Sequence, residues 1–340
     1  MTPLERLLRG RAAREGPLSF SEVMASALYH PRYGYYSRVR GFGAEGDFIT
    51  SPEVHPIFGQ LLARQAVDLW QHLGRPHPFR VLELGAGSGA LAEQLLSRLP
   101  PTKYAIDEVS HSLREVQRAR LGDSVSWHSA ARPHLLIANE VLDAQPVHRL
   151  SVRQGQLREL RVDADLCWVE TEAPVEARDY FKRLGLLPPE GAIAEVNLQL
   201  DNWVRQVARR LGPRSLALIL DYGYTAEALF SRPRGTLLTY YRHTLGSDPL
   251  QRLGEQDISV HVDFTTLATA AHHAGLHVIG VTSQATLLRN LGLLEPGGDR
   301  RAIWPLVDPN GLGRIGALFL GRGLEGYVPL GLRQMEARAS

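Results

Sequence analysis

Phe79-Arg80-Val81-Leu82-Glu83-Leu84-Gly85-Ala86-Gly87-Ser88-Gly89-Ala90-Leu91-Ala92-Glu93-Gln94-Leu95-Leu96 decides the fold class of this 340-residue chain. Its first six residues read as a buried parallel strand. The glycines at 85, 87 and 89 read as a tight turn, and the rest as a helix with an apolar period of 3.6. Strand, glycine turn and helix in this order make a ligand site, because a turn without side chains lets backbone N–H groups at the helix start approach a bound molecule closely.

The turn also fits the G-x-G-x-x-A dinucleotide pattern, so a nicotinamide oxidoreductase competes for it. Glu83, two positions before the first glycine, tilts the balance. The E-x-G-x-G-x-G run is similar to the first motif of class I S-adenosylmethionine-dependent methyltransferases, whose sulfonium ligand tolerates a nearby carboxylate better than a pyrophosphate does. Working outward, Tyr104–Val109 is the next strand. Its terminal Glu108, about twenty residues past the glycines, suits a bidentate acceptor for ribose hydroxyls, with Asp107 as competitor. Ser110–Ala119 is a helix, and strands follow at Val125–His128, His134–Glu140, Ser215–Asp221, His277–Val281 and Arg314–Gly321. Phe264–Ala274 reads as a helix and Gly292–Gly313 as a loop. The expected architecture is an α/β, Rossmann-like, mostly parallel seven-stranded sheet with helices on both faces.

The fourth strand ends in Asn139 and Glu140, with Asp143 just beyond. Carboxylates at the carboxyl ends of parallel strands face the ligand crevice, and burying them calls for a cationic substrate or a protein arginine. Other chemistries lack their signatures. There is no G-x-S-x-G elbow for a hydrolase, the thirteen histidines show no metal spacing, and His272-His273 reads as structural. The formal net charge of +2 makes no electrostatic case for nucleic acid. The single cysteine, Cys167, excludes an internal disulfide and reads as a small buried hydrophobe in a strand. No apolar run is long enough to span a bilayer, and no signal-peptide core is evident, so the expected compartment is the cytoplasm.

Residues 1–78 read as an N-terminal segment. It holds a helix over the first fifteen residues, the aromatic run Leu28–Tyr36, a glycine-rich lid at Gly41–Phe48, and a helix starting near Ser51 and burying Ile57, Leu61, Leu62, Ala66, Leu69 and Trp70. Residues 79–146 and 198–340 form the two halves of the core. Between them, 147–197 reads as an inserted α+β segment: a hairpin around Gly155, a strand at Leu166–Glu170 and a helix at Val175–Leu184. Its jobs would be substrate binding or self-association into a homodimer.

These residues together resemble the MidA/NDUFAF7 family of S-adenosylmethionine-dependent protein arginine methyltransferases. The resemblance rests on LYHPRYGYY at 28–36, GDFITSPE at 46–53, ELGAGSG at 83–89, EVSHSLR at 108–114, ANEVLDAQP at 138–146, DYG at 221–223, DISVHVDF at 257–264 and TSQATLLRNLG at 282–292. The chain departs from the family's usual GPGRG turn at Ala86 and Ser88, and from its NEFFDALP at Val141, Leu142 and Gln145. The resemblance implies S-adenosyl-L-methionine held by Glu83, Gly85, Ala86, Gly87, Gly89, Glu108, Val109 and Asn139, with Gly46 and Asp47 from the lid. It implies a protein substrate with an accessible arginine, such as the respiratory complex I subunit ascribed to mitochondrial members. Glu140 and Asp143 would orient the guanidinium, with Asp47, Asp221 and His261 nearby, and His261 or Asp263 would accept the proton. The alternative is a cofactor-binding assembly factor that docks a partner without turnover.

Overall fold

The computed structural model describes residues 1–37, 49–127, 132–293 and 300–333. Seven strands make the central sheet: β1 (Phe79–Leu84), β2 (Thr102–Asp107), β3 (Val125–Ser126), β4 (Leu135–Asn139), β5 (Ser215–Asp221), β6 (His277–Ser283) and β7 (Gly316–Arg322). Their spatial order is β3-β2-β1-β4-β5-β7-β6. The neighbours from β3 to β5 run parallel, and β7 is antiparallel to both β5 and β6.

Both faces of this sheet are covered, which explains why its strands are continuous apolar runs. Alternate residues serve opposite cores. Val81, Ile137 and Leu218 pack with Leu61, Leu69 and Phe319 on one face. Leu82, Leu136 and Ile219 pack with Val204 and Leu267 on the other. Each such side chain contributes about 1.5–3 kcal/mol on burial.

The N-terminal helix spans Pro3–Glu15, with Thr2 and Glu5 forming a capping box and Leu4, Leu8 and Ala12 buried. The helix expected from Ser51 onward is broken into Ser51–Val54 and Ile57–His72. His55 between them is extended (φ −161°) because it precedes Pro56, whose ring disfavours the helical region for the residue before it.

Residues 148–196 contribute strands His148–Arg153, Gln156–Val162, Trp168–Glu172 and Ile193–Val196 to a second, antiparallel sheet. Leu18–Ser19 from the N-terminal segment adds to the same sheet. Helix Val175–Leu184 packs there through Ala177, Tyr180 and Phe181. Cys167 corrects the sequence expectation: it is exposed, in the turn before Trp168, where its N–H donates to Asp163 Oδ1 at 2.9 Å. Within the stretch expected as a loop, residues 300–306 are instead helical, as Arg300–Ile303 and the 3-10 turn Trp304–Leu306. Among the described residues, no helix is long and apolar enough to cross a membrane.

Candidate active site

The turn after β1 needs its glycines. Gly85, Gly87 and Gly89 have φ of +59°, +54° and +82°. A β-carbon on Gly85 would also lie 3.1 Å from Val141 Cγ2. The Gly85 N–H donates to the Asp107 carbonyl at 2.9 Å, tying the turn to the end of β2. Beside this turn lies a cleft of about 670 Å³, lined by Glu83, Gly85, Ala86, Gly87, Glu108, Val109, Asn139 and Glu140 among others. That volume lies within the usual range for small-molecule sites. Gly89 caps helix Ala90–Leu96 from outside the cleft lining.

Glu83 is buried, accepts the Tyr104 hydroxyl at 2.6 Å, and has its pKa pushed up to about 7 by burial. Glu108 is also buried and accepts the Ser110 N–H at 2.9 Å and Gln117 Nε2 at 3.2 Å; burial raises its pKa. Asp107 instead pairs with Arg210 at the cleft edge. The two acids at the end of β2 are thereby told apart: Glu108 faces the cleft with Gln117 beside it, while Asp107 is committed to an arginine. Gln117 also donates to the Gly87 carbonyl at 2.9 Å and accepts Trp127 Nε1 at 2.8 Å. Gln117 thus braces the glycine turn against Glu108, a role that the helix expected over Ser110–Ala119 does not reveal.

The donor set fits S-adenosyl-L-methionine and does not fit a dinucleotide. Glu83, Glu108 and Glu140 line the cleft, while Arg210 in the same lining offsets only Asp107, an acidic balance that suits a sulfonium better than a pyrophosphate. Glu108 has Oε1 fixed by the Ser110 N–H and Oε2 by Gln117 Nε2, which leaves each oxygen with capacity for a further donor. Segment 49–54 crosses beside the turn and is tied down along its length. Ser51 Oγ donates to Gln284 Oε1 at 2.9 Å, the Pro52 carbonyl accepts Gln94 Nε2 at 2.8 Å, and Glu53 accepts the Ser88 hydroxyl.

Glu140 has φ +53°, a left-handed conformation unusual for a non-glycine residue. Its N–H donates to the Leu220 carbonyl at 2.8 Å, and its Oε1 accepts the Ser51 N–H and Asn139 Nδ2, each at 3.1 Å. Burial, with Asp221 adding to it, pushes the carboxyl up to about 7. Asp221, at the end of β5, accepts the N–H groups of Val141 (3.0 Å), Leu142 (2.7 Å) and Tyr222 (2.9 Å), yet burial still raises it to about 7. Asp143 is held well above the usual carboxylate range by burial, Asp221, Glu140 and Asp257. Among the described residues no basic side chain forms an ion pair with Glu140, Asp143 or Asp221.

Tyrosines surround this acidic recess. Tyr29 and Tyr36 stack at 5.4 Å; Tyr29 donates to the Ala144 carbonyl and Tyr36 to Asp257 Oδ1. Tyr222 and Tyr240 feel the field of Glu140 and Asp143, and burial raises all four phenols.

Other candidates sit elsewhere. His261 does not line the cleft: it stacks on Tyr222 (5.9 Å) and packs on Tyr224 (5.3 Å), beside a separate small cavity. Burial, together with Arg314 and Arg232, lowers its pKa to about 4. Asp263 is committed as a helix cap, accepting the N–H groups of Thr265 and Thr266 and the hydroxyls of Thr266 and Tyr180. It has no acceptor capacity facing the cleft. Gly46, Asp47 and the lid at 41–48 lie outside the described residues.

Comparison with known proteins agrees with this chemistry. A family of S-adenosyl-L-methionine-dependent methyltransferases, Methyltransf_28, matches residues 61–282. The chain is 30% identical to the Drosophila melanogaster "Protein arginine methyltransferase NDUFAF7 homolog, mitochondrial", covering 85% of this chain and 74% of that one. It is 27% identical to the Homo sapiens "Protein arginine methyltransferase NDUFAF7, mitochondrial", covering 86% and 74%. Among solved structures, a COG1565-superfamily protein from Burkholderia thailandensis bound to S-adenosyl-homocysteine superposes with a TM-score of 0.86 at 31% identity, covering 98% of this chain and 95% of that one. The α/β fold with a glycine turn and acid-lined cleft is thus that of a methyltransferase, and the chain belongs to the MidA/NDUFAF7 family of S-adenosyl-L-methionine-dependent methyltransferases.

Proposed function

We propose that the methyl acceptor is an arginine side chain of a protein. The observation that carries this reading is the recess of Glu140, Asp143 and Asp221, with which no basic side chain among the described residues forms an ion pair. Buried carboxylates in that state favour a cation, and a planar guanidinium matches paired carboxylate oxygens and aromatic faces better than an ammonium does. The names of the curated relatives point the same way for those proteins.

In this reading Glu83, the 85–89 turn, Glu108, Val109 and Asn139 hold the cofactor, which supplies an electrophilic methyl group. Glu140 and Asp143 bind the guanidinium and present one terminal nitrogen. Tyr29, Tyr36, Tyr222 and Tyr240 exclude water and lend their faces to the cation. The nitrogen gains the methyl and gives up one proton, so the product guanidinium keeps its single charge. Glu140, with its carboxyl raised to about 7, takes that proton. Holding reactants aligned in this way accounts for about 7–11 kcal/mol of barrier lowering in well-oriented systems.

Three finer readings belong to the same proposal. The strand order is the Rossmann-like arrangement of class I methyltransferases. The inserted segment 147–197 serves substrate binding or self-association. The compartment is the cytoplasm, on composition alone, the mitochondrial location being part of the relatives' own names. The test is transfer of labelled methyl from S-adenosyl-L-methionine onto protein in lysate from a strain lacking this chain, with mass-spectrometric identification of the modified residue. Label on arginine, lost with Glu140→Gln while S-adenosyl-homocysteine affinity holds, is the expected result. Label on another residue type, or full transfer by the variant, overturns it.

A further inference from the structure

Next to the acidic recess, Arg314 and Arg232 stand without ion-pair partners. Arg314 is exposed, and its guanidinium lies 5.5 Å from the centre of the Tyr222 ring. The Arg232 guanidinium lies 4.2 Å from the centre of Tyr224, and its Nε is buried without a hydrogen bond. Neither guanidinium forms an ion pair or a hydrogen bond with a described residue. Both act on His261, which packs against Tyr222 and Tyr224 and whose buried Nδ1 also lacks a partner. The carboxylates in the adjoining cavity are already engaged. Glu195 pairs with Arg149 at 3.4 Å and accepts the Thr236 N–H, and Asp263 caps its helix.

Stacking on tyrosine occupies the face of a guanidinium and leaves its edge, with five N–H donors, free to bind an oxyanion. Tyr222 is the shared wall between the two charge types. It feels the negative field of Glu140 and Asp143, and Arg314 lies over its ring. Resting on the arginine reading above, we propose that Arg314 and Arg232 form an anion subsite that selects acceptor polypeptides carrying an aspartate or glutamate close to the target arginine. The Tyr222 ring separates Arg314 from the recess, a span that about two or three residues of extended chain bridge at ~3.4 Å each, and Arg232 lies further along, on Tyr224 across His261. The two arginines are specificity residues: they contact the acceptor chain away from the reacting nitrogen.

The test uses the full chain saturated with S-adenosyl-homocysteine and fluorescein-labelled nonapeptides with a central arginine in a neutral background. Aspartate, alanine or lysine is placed in turn at each position from −3 to +3, and binding is read by anisotropy. The expected result is a position where aspartate binds about five- to tenfold more tightly than alanine, and lysine more weakly, as a solvent-facing charge-assisted pair allows. Arg314→Gln, paired with Arg232→Gln, removes that increment and leaves the neutral peptide's Kd unchanged. Arg314→Glu reverses the preference toward lysine. Equal affinity for aspartate, alanine and lysine peptides at every position overturns the proposal, as does an increment that survives both glutamine substitutions. Replacing the central arginine by glutamine is the separate control. If that peptide binds as well as its parent, the arginine reading fails, whatever the aspartate increment.

Discussion

Asp221→Asn is the sharpest perturbation of the acceptor side. The carboxylate accepts three backbone N–H groups, from Val141 at 3.0 Å, Leu142 at 2.7 Å and Tyr222 at 2.9 Å. An amide has one acceptor oxygen. Turned toward Tyr222, it sets its own NH₂ against the N–H groups of Val141 and Leu142. A buried donor left unpaired in this way costs about 1–3 kcal/mol. Those bonds hold the loop in which Glu140 keeps its left-handed backbone (φ +53°), a conformation that itself costs roughly 1–2 kcal/mol for a residue with a β-carbon. If the loss falls on that loop, the population presenting Glu140 and Asp143 drops by about 5- to 150-fold, since about 1.4 kcal/mol is a factor of ten. The measurement belongs at pH 8, where Asp221, raised to about 7, is charged. Labelled methyl incorporation is expected to show kcat/KM lower by that factor. Calorimetric S-adenosyl-homocysteine affinity should fall by less than kcat/KM does, because Asp221 itself does not line the cleft. Wild-type kcat/KM together with wild-type stability in urea would refute the view that Asp221 organises the acceptor loop.

Four further outcomes follow from the site. Glu140 has its carboxyl raised to about 7, so it is neutral below that pH and charged above it; kcat/KM for a cationic acceptor is expected to rise through pH 7, and a flat profile counts against it as the cation ligand. The same shift has the opposite sign for stability: the folded state holds this proton and the unfolded chain does not, so the contribution of Glu140 falls as pH rises from about 4.5 to about 7, which urea titrations across that range would show. Glu108→Gln removes a charged acceptor, and hydrogen bonds to charged groups are worth about 1.5–3 kcal/mol, so S-adenosyl-homocysteine should bind about 10- to 150-fold more weakly; unchanged affinity would remove Glu108 from the cofactor site. Gly85→Ala combines a φ of +59° with a β-carbon 3.1 Å from Val141 Cγ2, and is expected to lower stability by about 1–2 kcal/mol or more and to abolish cofactor binding; a variant that binds normally would show that the turn has other freedom.

The cofactor half of the site was legible in the chain because it is local. Strand, glycine turn and helix are contiguous, Glu108 lies one strand further on, and period and composition mark each. The His55–Pro56 break was equally local, but the apolar positions that continue across it masked it. Cys167 misled because its neighbours alternate like a strand, whereas Asp163 folds the segment into a turn through its side chain. The acceptor half follows a different rule. Glu140 meets Ser51 and Asp221, residues 89 and 81 positions away, Tyr36 meets Asp257, and Gln117 reaches the glycine turn. His261 and Asp263 sit in a family-like stretch, yet strand pairing and a helix cap turn them away from the cleft.

The sequence by itself determined the sheet, its glycine turn and the acids at its strand ends, since backbone periodicity and turn chemistry act over a few residues. Only the tertiary structure decided which of those acids share one recess, which are neutralised by arginines, and which tyrosines enclose them. Charge interactions depend on distance through space and on burial, and neither is written in spacing along the chain.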